Sequence, residues 1–330
     1  MNTRLETNKE IYEANFKMAK KAFLLNSGLE ASACAASFIG DTEPTSEEDM
    51  KAAKKILDKN TSIVSTLGHG NARQVVVATL AQSGDPEDAM DKIKKIHKAL
   101  DKKFFNSDYL VLAAVMIYRS CKPSEYDTVV RRTREIYKLI RKDHPFLTGR
   151  EDIASCVIMA LTDTDEGKLA QYCEENFQAL KEHFFSKNKI QYMACTLSAF
   201  DGDADTKAKK TKGSYELLKE EGVRFDADAY AVISAYAMII EDKDKVQVAK
   251  EIKKTSDELK SVRGLGALGA GKRIRNIIAS ALVIDAYAKD NKNVSSVAIS
   301  AIISAIITEQ IMIAAAASSA AASSAAAASS

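Results

Sequence analysis

The residues best suited by type and spacing to do chemistry lie in one glycine-dense stretch, residues 264–271. Gly264-Leu265-Gly266-Ala267-Leu268-Gly269 matches GxGxxG, and Gly266 through Lys272 matches GxxxxGK. In a nucleotide-binding loop, glycines let backbone amides approach the phosphates. A lysine reaches their oxygens, and the next Ser or Thr holds magnesium. Here Arg273 occupies the Ser/Thr place and no strand precedes the loop. Amides at the start of the following helix, with Gly266, Gly269, Gly271, Lys272, Arg273 and Arg275, still form a candidate anion-binding set. A connector leading into a basic first turn is the simpler account, even though cations sit unfavourably at the positive end of a helix dipole.

Other constellations carry less. Asp201-x-Asp203-x-Asp205 begins like a calcium loop, but Thr206 stands where glycine is needed and Lys212 where a bidentate glutamate is needed. Turn and capping roles fit these aspartates, and Asp163 and Asp165, better. His69, His97, His144 and His183 show no metal-ligand spacing. The five cysteines, Cys34, Cys121, Cys156, Cys173 and Cys195, are odd in number and never form CxxC. They read as reduced core thiols of a cytoplasmic protein. No catalytic residue, metal or cofactor is expected.

Basic clusters occur at Lys51/Lys54/Lys55, at Arg131/Arg132/Arg134/Arg141/Lys142 and at Lys207/Lys209/Lys210/Lys212. Acidic residues interleave with them and stacking aromatics are sparse, so a solvated outer face is expected and nucleic acid is not. The net charge of +2 agrees with that.

The elements that would position these groups are helices. Gly 14 and Pro 4 are few for 330 residues, which favours helices with short connections. Short apolar segments alternate with longer amphipathic ones roughly every 40 residues. Two registers mark the repeat. Cys34, Val75, Ala113, Cys156, Cys195 and Ser234 each precede a large residue by five places, and Leu57, Leu100, Ile140, Leu180, Leu218 and Leu259 recur at intervals of 38 to 43. Small residues at a fixed place let helix axes approach closely. The expected fold is all-α: an α-solenoid of about seven stacked helix pairs, each a short helix followed by a long one.

In that scheme residues 1–29 hold an N-terminal capping helix and 30–263 six pairs. Residues 264–316 hold the glycine-rich loop with a C-terminal pair, and 317–330 are an Ala/Ser low-complexity tail. The apolar run within 294–316 is interrupted by Ser300 and Ser304 and ended by Thr308, Glu309 and Gln310. It is shorter than the roughly 20 residues of a membrane span. A packed terminal helix is therefore expected over membrane-surface association. The opening MNTRLETNKE lacks the apolar core of a signal peptide.

The stretches HPFLTGREDIASCVIMAL (144–161), FFNSDYLVLAA (104–114) and KRIR (272–275), together with the Ala/Ser-rich end, resemble the DUF4003 family, uncharacterised proteins of Gram-positive bacteria. The resemblance covers nearly the whole chain. It implies a cytosolic bacterial protein and transfers no catalytic residue. Three functions remain in view. The first is a non-enzymatic scaffold that binds a protein or peptide across repeats. The second is an enzyme or small-anion binder with a pocket near 264–275 or in a curved interior. The third is peripheral membrane association through 294–316.

Overall fold

The computed structural model describes residues 2–23, 28–62, 65–70, 72–101, 104, 106–267 and 269–288. Among them lie fifteen α-helices and no strand. In chain order the first are α1 (Thr3–Phe23), α2 (Gly28–Ala36), α3 (Glu47–Asn60), α4 (Thr66–His69) and α5 (Arg73–Ala81). Next come α6 (Pro86–Asp101), α7 (Asp108–Ser120), α8 (Tyr126–Asp143), α9 (Asp152–Ala160) and α10 (Glu166–Leu180). The rest are α11 (Lys187–Leu197), α12 (Ala204–Glu220), α13 (Tyr230–Ile239), α14 (Lys245–Glu258) and α15 (Gly271–Ala288). Apart from the single turn α4, each corresponds to a helix legible in the sequence.

Short polar side chains start four of the long helices, α3, α6, α10 and α12. The Ser46 hydroxyl accepts from the Asp49 amide at 3.0 Å, and Asp85 Oδ1 accepts from the Asp88 amide at 3.1 Å, with Pro86 in the first turn. Asp165 Oδ1 takes the Gly167 and Lys168 amides at 2.9 and 3.2 Å, and Asp203 Oδ1 takes the Thr206 amide at 2.8 Å. Among the aspartates that mimic a calcium loop, Asp203 is therefore a helix cap, accepting a hydrogen bond from the Thr206 amide.

The short helices α2, α5, α7, α9, α11 and α13 are buried over most of their length, as their largely apolar composition requires. Both registers lie in the core: Cys34, Val75, Ala113, Cys156, Cys195 and Ser234 are buried, and so are Leu57, Leu100, Ile140, Leu180, Leu218 and Leu259. The last of these sits in a single 3-10 turn after α14 (Leu259–Ser261).

The packing corrects the frame of the pairs. In six pairs a long helix leans on the shorter helix after it, α1 on α2, α3 on α5, α6 on α7, α8 on α9, α10 on α11 and α12 on α13, and in the seventh α14 leans on α15, the longer of the two. The expected pairing of a short helix with the long one after it is the weaker contact, and α9 barely touches α10. Short helices also contact the next short helix, and long helices the next long one, so two layers run alongside each other. Helix α1, expected as a cap, packs on α2, α3 and α15. At its contact with α15, Arg4 Nη2 donates to Asp285 Oδ2 at 2.6 Å and Asn8 Nδ2 donates to the same oxygen at 3.0 Å. Lys9 pairs with Glu258 at 2.5 Å beside them.

Candidate functional site

The glycine-dense loop is a closed piece of backbone. Gly264 has φ 110°, where only glycine is at ease, and its carbonyl approaches α2 so closely that a Cβ on Gly28 would stand 2.0 Å from it. The amides of Gly269 and Gly271 donate to the Gly266 carbonyl at 3.0 and 3.1 Å, and the Ala270 amide to the Gly264 carbonyl at 2.9 Å. Arg275 is buried, and its Nε donates to the Ser256 carbonyl at 3.1 Å while Nη1 donates to the Leu265 carbonyl at 2.7 Å. Ser256 lies in the last turn of α14, whose final carbonyls lack partners within the helix. The guanidinium thus fastens the loop to the end of α14. Arg273 lies 3.5 Å from the Asp226 carboxylate, and Lys272 points outward to solvent.

A second basic region is open. Helix α8 buries Val129, Val130, Thr133, Ile136, Tyr137 and Ile140, which leaves a stripe at 131, 134, 135, 138, 141 and 142 on its other side. That stripe, with Phe104, Tyr137 and Pro145, lines a groove of about 700 Å³. The volume lies within the range of roughly 300–1,000 Å³ typical of ligand sites. Five cations, Arg131, Arg134, Lys138, Arg141 and Lys142, face one carboxylate, Glu135. Two are engaged at the edge: Arg131 Nη1 reaches Glu166 at 3.1 Å, and Lys138 lies 3.5 Å from Glu135. Phe104 meets Tyr137 edge to face, with centroids 4.8 Å apart. Burial raises the pKa of the Tyr137 phenol, and Arg141 beside it partly offsets that rise.

Arg134 differs from its neighbours. Its Nε and Nη2 are buried and have no hydrogen-bond partner among the described residues. Those two nitrogens form the side-on edge of the guanidinium, the fork that matches two oxygens of a carboxylate or phosphate.

The turn after α8 closes one end of the groove. The His144 amide donates to the Ile140 carbonyl at 2.9 Å, and its ring packs on Phe177 at 4.5 Å and contacts Glu174 through Nε2. Two residues on, Phe146 is 96% exposed. The turn after α10 repeats the pattern: His183 is followed by Phe185, 101% exposed, while Phe184 is buried against Tyr215 and Tyr230. Helices α8 and α10 are packed neighbours, so the two phenylalanines stand on successive turns.

The loop residues singled out by motif thus come together, with the loop's amides and Arg275 engaged internally. The α8 cluster was visible in sequence as a solvated face. Phe104, Tyr137, Pro145, Phe146 and Phe185 carried no motif. The one available signal was the repeated His-x-Phe at 144–146 and 183–185.

Fold and site together define an all-helical protein with an open basic groove. The chain belongs to the DUF4003 family, described as protein of unknown function, whose model matches residues 15–312. No curated protein and no solved structure matches the chain.

Proposed function

We propose that the protein is a non-enzymatic helical-repeat scaffold that binds another protein, with the α8 groove, Phe146 and Phe185 as its contact surface. The two layers, and the packing of each helix of one layer on the next of the other, support an array of about seven stacked pairs, with α1 meeting α15, the last helix described. One observation carries the binding role: two fully exposed phenylalanines at the same end of adjacent helices, beside a groove of five cations. A single exposed apolar residue is ordinary. Two of them flanking clustered charge fit a partner contact, in which aromatic anchors supply affinity and charges set register and approach. The fitting segment is acidic with interspersed apolar side chains. A cytoplasmic setting accords with the free thiols. The membrane-surface alternative rests on 294–316, outside the described residues; among those described, no helix is long and apolar enough to cross a membrane.

The test is affinity capture from the native host with the intact chain and with a Phe146→Ser/Phe185→Ser variant, folding being checked by circular dichroism. Losing two anchor side chains weakens a genuine partner by about 30-fold or more. Partners retained equally by both proteins would overturn the assignment.

A further inference from the structure

We propose that Arg134 is the residue by which the groove reads its ligand, gripping a two-oxygen oxyanion through the side-on fork of Nε and Nη2. The inference rests on the groove being a binding surface and adds the chemistry of what is bound. The remaining cations hold their charge near the surface, and Arg131 already reaches Glu166. Arg134 alone in the groove has both nitrogens of its fork buried and unpaired among the described residues. A buried donor without an acceptor is costly, and a charged one more so, so a fold seldom keeps such a group without use for it. The fork is buried as it stands, so binding requires the outer torsions of its flexible stem to turn it into the groove. Phe104 and Tyr137 then supply an aromatic wall beside the oxyanion, with Arg141 and Lys142 adding long-range attraction. Carboxylates and phosphates share the required geometry. A short acidic peptide segment, bearing either Glu/Asp or phosphorylated side chains, is the ligand class.

The full chain is titrated at fixed ionic strength with three labelled peptides of one length, rich in glutamate, in phosphoserine or in glutamine. Anisotropy is the readout. Expected is binding of one or both acidic peptides, with the glutamine peptide inert. Arg134→Lys keeps the charge but removes the fork, and is expected to weaken binding by about tenfold or more, the scale of losing one charged hydrogen-bonded fork. Arg141→Lys is expected to stay within about twofold, since only charge is asked of it. Arg134→Met is expected to abolish binding while raising the melting temperature, whereas a purely structural arginine would lower it. Acidic-peptide binding that persists unchanged in Arg134→Lys overturns the role of the fork and leaves the groove standing. Failure of both acidic peptides, or their indifference to a triple Arg131/Arg141/Lys142→Ala change, overturns the groove as well. Displacement by a single-stranded oligonucleotide alone would replace the peptide with nucleic acid and overturn the ligand class.

Discussion

The 264–275 loop and the α8 stripe both cluster cations, and the fold treats them in opposite ways. At the loop, Arg275 answers the Ser256 carbonyl at the end of α14 and the Leu265 carbonyl, Arg273 stands near Asp226, and the Gly269, Ala270 and Gly271 amides close on loop carbonyls. On α8, Arg134 meets neither a carbonyl nor a carboxylate among the described residues. The motif-rich segment is thus occupied with holding helices together, and the segment without a motif keeps a charged donor free. Availability to a ligand follows from which acceptors the packing brings near, and residue type alone does not decide it.

Asp152 stands between the two regions, buried like Arg275 but short of partners like Arg134. Its Oδ2 accepts from the Gly149 amide at 2.9 Å, Oδ1 has no partner among the described residues, and burial pushes its pKa up to about 7. In the unfolded chain the carboxyl titrates near 3.8, so between those values the unfolded state has lost a proton that the folded state keeps. The Asp152 contribution to stability is therefore greatest below about pH 4, falls as pH rises to about 7, and is level above. Asp152→Asn is expected to remove that fall, a gain on the order of 4 kcal/mol at pH 8 and little at pH 4. Denaturant unfolding across pH measures it, and an unchanged slope would break the assignment.

Next in size is Arg275→Met, which strands the Ser256 and Leu265 carbonyls and is expected to cost about 3 kcal/mol. Chemical denaturation of this variant beside Arg134→Met gives shifts of opposite sign if the two arginines differ as described. A common sign would erase the distinction. The smallest of the three effects is expected from Gly28→Ala. Its Cβ would collide with the Gly264 carbonyl, and pushing the loop away costs about 2 kcal/mol. Faster hydrogen exchange at Ala270, whose amide depends on Gly264, would accompany it.

Helix positions, the caps at Ser46, Asp85, Asp165 and Asp203, and the burial of both small and large registers were legible in the sequence, because each depends on residues within a few positions of one another. The pairing frame was not. Alternating short and long helices can be bracketed either way, and only the lean of α8 on α9, with α9 nearly clear of α10, decides. The availability of Arg134 and the engagement of Arg275 were equally hidden, since each depends on acceptors contributed by distant parts of the chain. The proposed membrane contact at 294–316 and the Ala/Ser tail at 317–330 lie outside the described residues.

The clasp of α1 on α15, made by Arg4, Asn8 and Asp285 with Lys9 and Glu258 beside it, bears on how the molecule comes apart. A stack of repeats with bare ends loses its outermost unit first and frays inward, one neighbour interface at a time. Because α1 and α15, the first and last helices described, hold each other, neither end of the described chain can leave without breaking this contact as well as its own neighbour interface, which couples local fraying at one end to the other.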